Sequence, residues 1–72
     1  MTLDQVEVGA SVKVIALSFD EELSRRINAL GIRIGATVIV LRKATFNGPI
    51  HIGVGTTELM MRVTQAKLID VV

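Results

Sequence analysis

The hydrophobic pattern lengthens its period over one segment, Ser18–Leu30, and that interruption fixes the order of elements. Ser11 to Leu17 alternates, with Val12, Val14 and Ala16 on one side and Lys13, Ile15 and Leu17 on the other. This spacing predicts a strand with one apolar face and a second that is mostly apolar. From Ser18 the period lengthens. Phe19, Leu23, Ile27 and Leu30 recur at intervals of four, four and three, one stripe of a helix over Ser18–Leu30. Two residues compete for its N-cap: Ser18, which has the capping-box spacing to Glu21, and Asp20. Asp20, Glu21 and Glu22 complement the positive end of the helix dipole, and Arg25 and Arg26 lie toward the negative end. Gly31 supplies a left-handed residue that ends the helix without a Cβ clash.

After Gly31 the pattern returns to β and stays there. Gly31-Ile32-Arg33-Ile34-Gly35 is a connection, with Gly35 placed for a type II turn. Ala36–Thr45 reads as a strand whose centre, Val38-Ile39-Val40-Leu41, is apolar on both faces. Asn47-Gly48-Pro49 turns it into Ile50–Val54, where Ile50, Ile52 and Val54 share a face opposite His51, Gly53 and Gly55. Gly55-Thr56 turns again into Glu58–Val63, with Leu59, Met61 and Val63 opposite Glu58, Met60 and Arg62. Thr64–Ala66 has room for one 3₁₀ turn, and Leu68–Val72 closes as a last strand. Leu3–Gly9 is a short lead-in ending in a turn at Gly9-Ala10. The chain is therefore mainly β: a small SH3-like barrel of about five antiparallel strands, with one α-helix between the first and second.

Size sharpens this picture. The 72 residues make one domain, and half of them are apolar. So short a domain buries only about 60% of the surface its unfolded chain exposes. A closed barrel hides part of the apolar excess, and the rest is expected on the outer faces, where it meets the helix or a partner. The expected places are the helix exit, the Phe46–Ile50 hairpin and the outer side of Glu58–Val63.

Charge and composition narrow the partner. Net charge is +1, and there is no Trp, no Tyr and only Phe19 and Phe46 as aromatics. Nothing here forms the basic stripe or stacking platform that nucleic acid requires. The longest apolar run is four residues, against about 20 for a membrane span, so no membrane insertion is expected. No signal peptide is seen at the N-terminus. With no cysteine there is no disulfide frame and no thiolate chemistry.

No catalytic, cofactor or metal site is expected. His51 is the one histidine and has no carboxylate two residues to either side. Asp20, Glu21 and Glu22 diverge around a helix, and Met60 and Met61 point to opposite faces of a strand. Gly31-x-x-x-Gly35 lacks the Lys-Ser/Thr ending of a phosphate loop. The expected partner-binding residues are Arg25, Arg26, Leu30 and Arg33 at the helix exit, with Phe46 and Met60 as apolar contacts.

Three stretches carry a family resemblance: Leu3-Asp4-Gln5-Val6-Glu7-Val8-Gly9, then Leu23 to Gly35 with its Leu-Gly-Ile-Arg-x-Gly core, then Leu59 to Ile69. Together they resemble the ferrous-iron transport protein A family, FeoA, over essentially the whole chain. One departure stands out. Family members usually carry proline before both turn glycines, whereas here Val8 precedes Gly9 and Ile34 precedes Gly35. The resemblance implies a cytoplasmic accessory of bacterial ferrous-iron uptake, acting on the G-protein domain of the FeoB-type membrane transporter and recruited to the membrane through it. It also implies a likeness to the C-terminal SH3-like module of metal-dependent repressors, so a metal-responsive regulatory module is the alternative. The absence of a DNA-reading helix-turn-helix argues against a repressor. Weak self-association, edge to edge, is a further expectation from the apolar outer surface.

Overall fold

The computed structural model describes residues Met1–Val72. A 3₁₀ turn, Leu3–Gln5, leads into β1 (Ser11–Leu17), α1 (Glu21–Ala29), β2 (Thr37–Lys43), β3 (Ile50–Val54), β4 (Thr57–Met61), α2 (Val63–Ala66) and β5 (Ile69–Val71). The five strands form one antiparallel sheet in the order β4-β3-β2-β1-β5. The fold is mainly β with a helix between the first two strands, as the change of period predicts.

β1 is shared between two neighbours. Its first residues pair with β2 (Ser11–Ile39, Val12–Val38, Lys13–Thr37), and its later ones pair with β5 (Val14–Val71, Ala16–Asp70, Leu17–Ile69). The register slips at Ile15 in β1 and again at Leu41 in β2. Such irregularities bend a strand and increase its twist, which curls the sheet. The slipped residues are exposed, Ile15 at 50% and Leu41 at 37%.

Fourteen apolar side chains form one buried cluster, including Leu3, Ile27, Ile32, Ile50, Ile52 and Met61. No polar side chain is buried. Only 15 of the 72 residues are buried, so most of the apolar half is left partly or wholly outside.

Local chemistry moves several element ends. The helix begins at Glu21 because Asp20, not Ser18, is the N-cap: its Oδ1 accepts from the Leu23 amide at 2.8 Å. The Ser18 amide instead donates to the Leu68 carbonyl at 2.9 Å and extends the β1–β5 seam. At the other end Leu30 is the C-cap and Gly31 follows at φ +98°. The Gly31 amide donates to Asn28 and the Ile32 amide to Ile27, the paired bonds of a Schellman ending. Ile27 and Ile32, joined by that second bond, are both in the core.

β2 stops at Lys43, short of Thr45. Phe46 and Asn47, at φ +56° and +58°, form the centre of a turn closed by the Gly48 amide on the Thr45 carbonyl at 3.1 Å. The reversal thus begins one residue before Asn47-Gly48-Pro49. β4 stops at Met61 because Val63 already belongs to a single α turn, in place of the expected 3₁₀ turn from Thr64. The Leu68 amide closes that turn on Gln65, which shortens β5 to Ile69–Val71.

Candidate docking surface at the helix exit

The Schellman ending directs the chain as it leaves the helix. With Ile32 drawn into the core, the flanking Leu30, Arg33 and Ile34 are left outside, Leu30 at 44% and Ile34 at 67% exposure. The Arg33–Ala36 turn is closed by the Ala36 amide on Arg33 at 2.9 Å and tied to β1 by the Gly35 amide on Val14 at 2.8 Å. Across from it stands the β3–β4 turn. Between them runs an open groove of about 560 Å³, lined by Leu30, Arg33, Ile34, Ala36, Val54 and Thr57 among others. Arg33 is its one charged lining residue, and Arg26 stands exposed one turn before Leu30 on α1. Arg25 is exposed beside it. The result is a groove of mixed character in which the exposed Leu30 and Ile34 stand beside Arg33.

The six expected partner-binding residues do not form one surface. Arg25, Arg26, Leu30 and Arg33 belong to the helix exit. Phe46 is fully exposed at the tip of the β2–β3 turn. That tip adjoins Ile50, whereas the groove adjoins Val54, so the length of β3, roughly 13 Å, separates them. Met60, at 59% exposure, lies on the outer face of β4 opposite His51. Ile32, in the same connection as the exposed Ile34, is buried. A second cavity, about 440 Å³, lies near the Phe46 turn between Asp4, Lys43, Asn47 and Lys67.

His51 has a partner that its sequence neighbours do not reveal. Its Nε2 lies 3.0 Å from Oε1 of Glu58 on β4. The two-residue turn Gly55-Thr56 pairs Gly53 with Glu58 and His51 with Met60, which puts Glu58 diagonally across from His51. Counting back from that turn would have found the pair. His51 and Glu58 form the one contact within 4.0 Å between a basic and an acidic side chain, and no three His, Asp or Glu side chains converge to hold a metal. Asp20 is occupied in capping α1. No helix is long and apolar enough to cross a membrane.

A curled five-stranded antiparallel sheet with a helix after the first strand defines an SH3-like module. The FeoA domain model matches residues 1–72, and the chain belongs to the FeoA family. This is a family of small SH3-like domains and not a known enzyme family. Among solved structures, the FeoA protein of Chlorobium tepidum is 31% identical with a TM-score of 0.91, over 99% of this chain and 68% of that one. Iron(II) transport protein A of Clostridium thermocellum is 24% identical with a TM-score of 0.92, over 99% of this chain but only 44% of that one. FeoA of Stenotrophomonas maltophilia, solved with zinc and described as a prokaryotic SH3 domain protein, is 26% identical with a TM-score of 0.84, over 100% of this chain and 89% of that one. Manganese-dependent transcriptional repressors and a metal-dependent transcriptional regulator share the fold at 18% to 22% identity. No curated protein sequence matches the chain.

Proposed function

We propose that this protein is a non-enzymatic cytoplasmic accessory of ferrous-iron uptake that binds the G-protein domain of a FeoB-type membrane transporter. Family membership supports the iron-uptake role. The observation that carries the docking site is the helix-exit groove, where Leu30 and Ile34 are exposed beside Arg33. Exposed apolar side chains beside an arginine suit a partner segment that pairs a hydrophobic anchor with a carboxylate. Recruitment to the inner face of the membrane follows from the partner. Phe46 and Met60, which stand apart from the groove, are secondary to this contact.

The test is a calorimetric titration against the transporter's cytosolic domain, with and without guanine nucleotide, repeated with the full-length transporter. Binding is expected to fall at least tenfold with Leu30→Glu or Arg33→Glu and by less than twofold with Phe46→Ala. No binding at high micromolar concentration in any nucleotide state, nor with the full-length transporter, overturns the reading.

A metal-responsive role is the second reading. It rests on the likeness to manganese-dependent repressors and on the His51–Glu58 pair. Titration with Mn(II) or Fe(II), followed by amide shifts, tests it. Localised changes at His51 and Glu58 support it, and their absence removes it.

A further inference from the structure

The sheet has two ends, and the chain treats them differently. At β5 the N-terminal residues close the edge: the Val71 amide donates to the Met1 carbonyl at 2.8 Å, and Thr2 bridges Asp70. At the other end β4 has β3 as its sole strand neighbour.

The turn decides which β4 groups are free. Gly55, at φ +60°, opens a two-residue hairpin loop, which makes Val54–Thr57 a hydrogen-bonded pair. Such pairs alternate along an antiparallel ladder. Thr57, Leu59 and Met61 therefore bond to β3, and the amides and carbonyls of Glu58 and Met60 face outward. Neither residue's backbone takes part in any bond outside the sheet. Exposed edges are ordinarily defended by a charge, a proline or a bulge. β4 has no proline and no register slip. Its one charge, Glu58, is drawn back over its own sheet by His51. Beside it Met60 is 59% exposed.

We propose that β4 is a homodimerisation edge, pairing antiparallel with β4 of a second copy about a two-fold axis through Leu59. Three symmetric registers bring Glu58 and Met60 into hydrogen-bonding positions. Centring on Glu58 sets two carboxylates directly opposite, which is unfavourable. Centring on Met60 needs the backbone of Arg62, whose carbonyl already accepts from the Gln65 and Ala66 amides at the start of α2. Centring on Leu59 sets Glu58 against Met60 twice and forms about four backbone bonds. Two chains of net charge +1 repel little. In this register the edge meets its own copy with no like charges opposite, so a second copy is an occupant that the edge accommodates in full. Five residues of edge make a small interface, so the dimer is weak, with a dissociation constant on the order of 100 µM.

The experiment is sedimentation with amide NMR from roughly 10 µM to 1 mM, a range that brackets such a constant. The mass is expected to rise toward two chains. The Glu58 and Met60 amides shift and gain exchange protection, while those of Thr57, Leu59 and Met61 do not. Met60→Pro removes an outward amide that β3 does not use and holds the protein monomeric. Met60→Glu faces the partner's Glu58 and weakens association at least tenfold. Met60→Lys faces the same carboxylate and preserves it. Folding of the glutamate and lysine variants, exposed in the monomer, keeps the test valid if the proline variant misfolds. A monomer throughout, association insensitive to Met60→Glu, or β4 shifts that appear only when the transporter domain is added overturns the proposal.

Discussion

A Cβ built on Gly31 would stand 3.5 Å from Cγ1 of Val54, an ordinary contact. Space is therefore available at the wall of the groove, and the constraint on Gly31 is its φ of +98°. Gly31→Ala is expected to cost about 1–3 kcal/mol through backbone strain, with no cavity or clash to relieve. Urea unfolding measures it. Shortening Val54 to alanine in the same chain leaves that increment unchanged, whereas relief by the shortening would identify a clash instead.

The helix start can be assigned by a pair of substitutions. Asp20→Ala removes the acceptor for the Leu23 amide and is expected to lower stability by about 1 kcal/mol. Ser18→Ala leaves the Ser18 backbone bond to Leu68 intact and stays within about 0.5 kcal/mol of the parent. Equal losses at both positions would restore the capping box read from Ser18 and Glu21.

Ile34 occupies the second position of a turn that favours proline. Its side chain is 67% exposed and its amide makes no backbone bond. Ile34→Pro should raise stability by about 0.4–1 kcal/mol by restricting the unfolded chain. The same change removes apolar surface from the groove, so affinity for the transporter domain should fall as the melting temperature rises. A loss of both would show that the turn does not accept proline.

Phe46 combines full exposure with φ of +56°, a region that costs an L-residue about 1–2 kcal/mol. Phe46→Gly relieves that cost and loses no packing. Set against the greater freedom of glycine in the unfolded chain, the expected gain is about 0.5–1 kcal/mol. Chemical denaturation of the variant checks this, and destabilisation would contradict it.

The elements that could be read from the sequence are those whose signal is local. Phe19, Leu23, Ile27 and Leu30 announce α1, and Gly31 announces its end with the positive φ observed. The inward set Ile50, Ile52 and Val54 is buried as alternation requires. Features set by pairing between elements escaped. Ser18 could not be removed from the helix without knowing that its amide reaches Leu68. Ile32, one of two isoleucines in a short connection, is buried only because the Schellman bond ties it to Ile27. The separation of Phe46 from the helix exit follows from the length and direction of β3, which a set of exposed apolar candidates does not contain. Glu58 reaches His51 through a hairpin register, although that register was implicit in Gly55-Thr56.

The division of β1 between two neighbours bears on how the chain reaches its native state. β2, β3 and β4 follow one another through short turns, so their ladders close small loops. The β1–β5 seam joins Leu17 to Ile69 and Val14 to Val71, almost the full span of the chain. Closing so long a loop costs entropy that only the finished seam repays. The meander from Thr37 to Met61 is thus the natural nucleus, and the first and last strands zip together late. In mild denaturant that seam is the place where the molecule opens first.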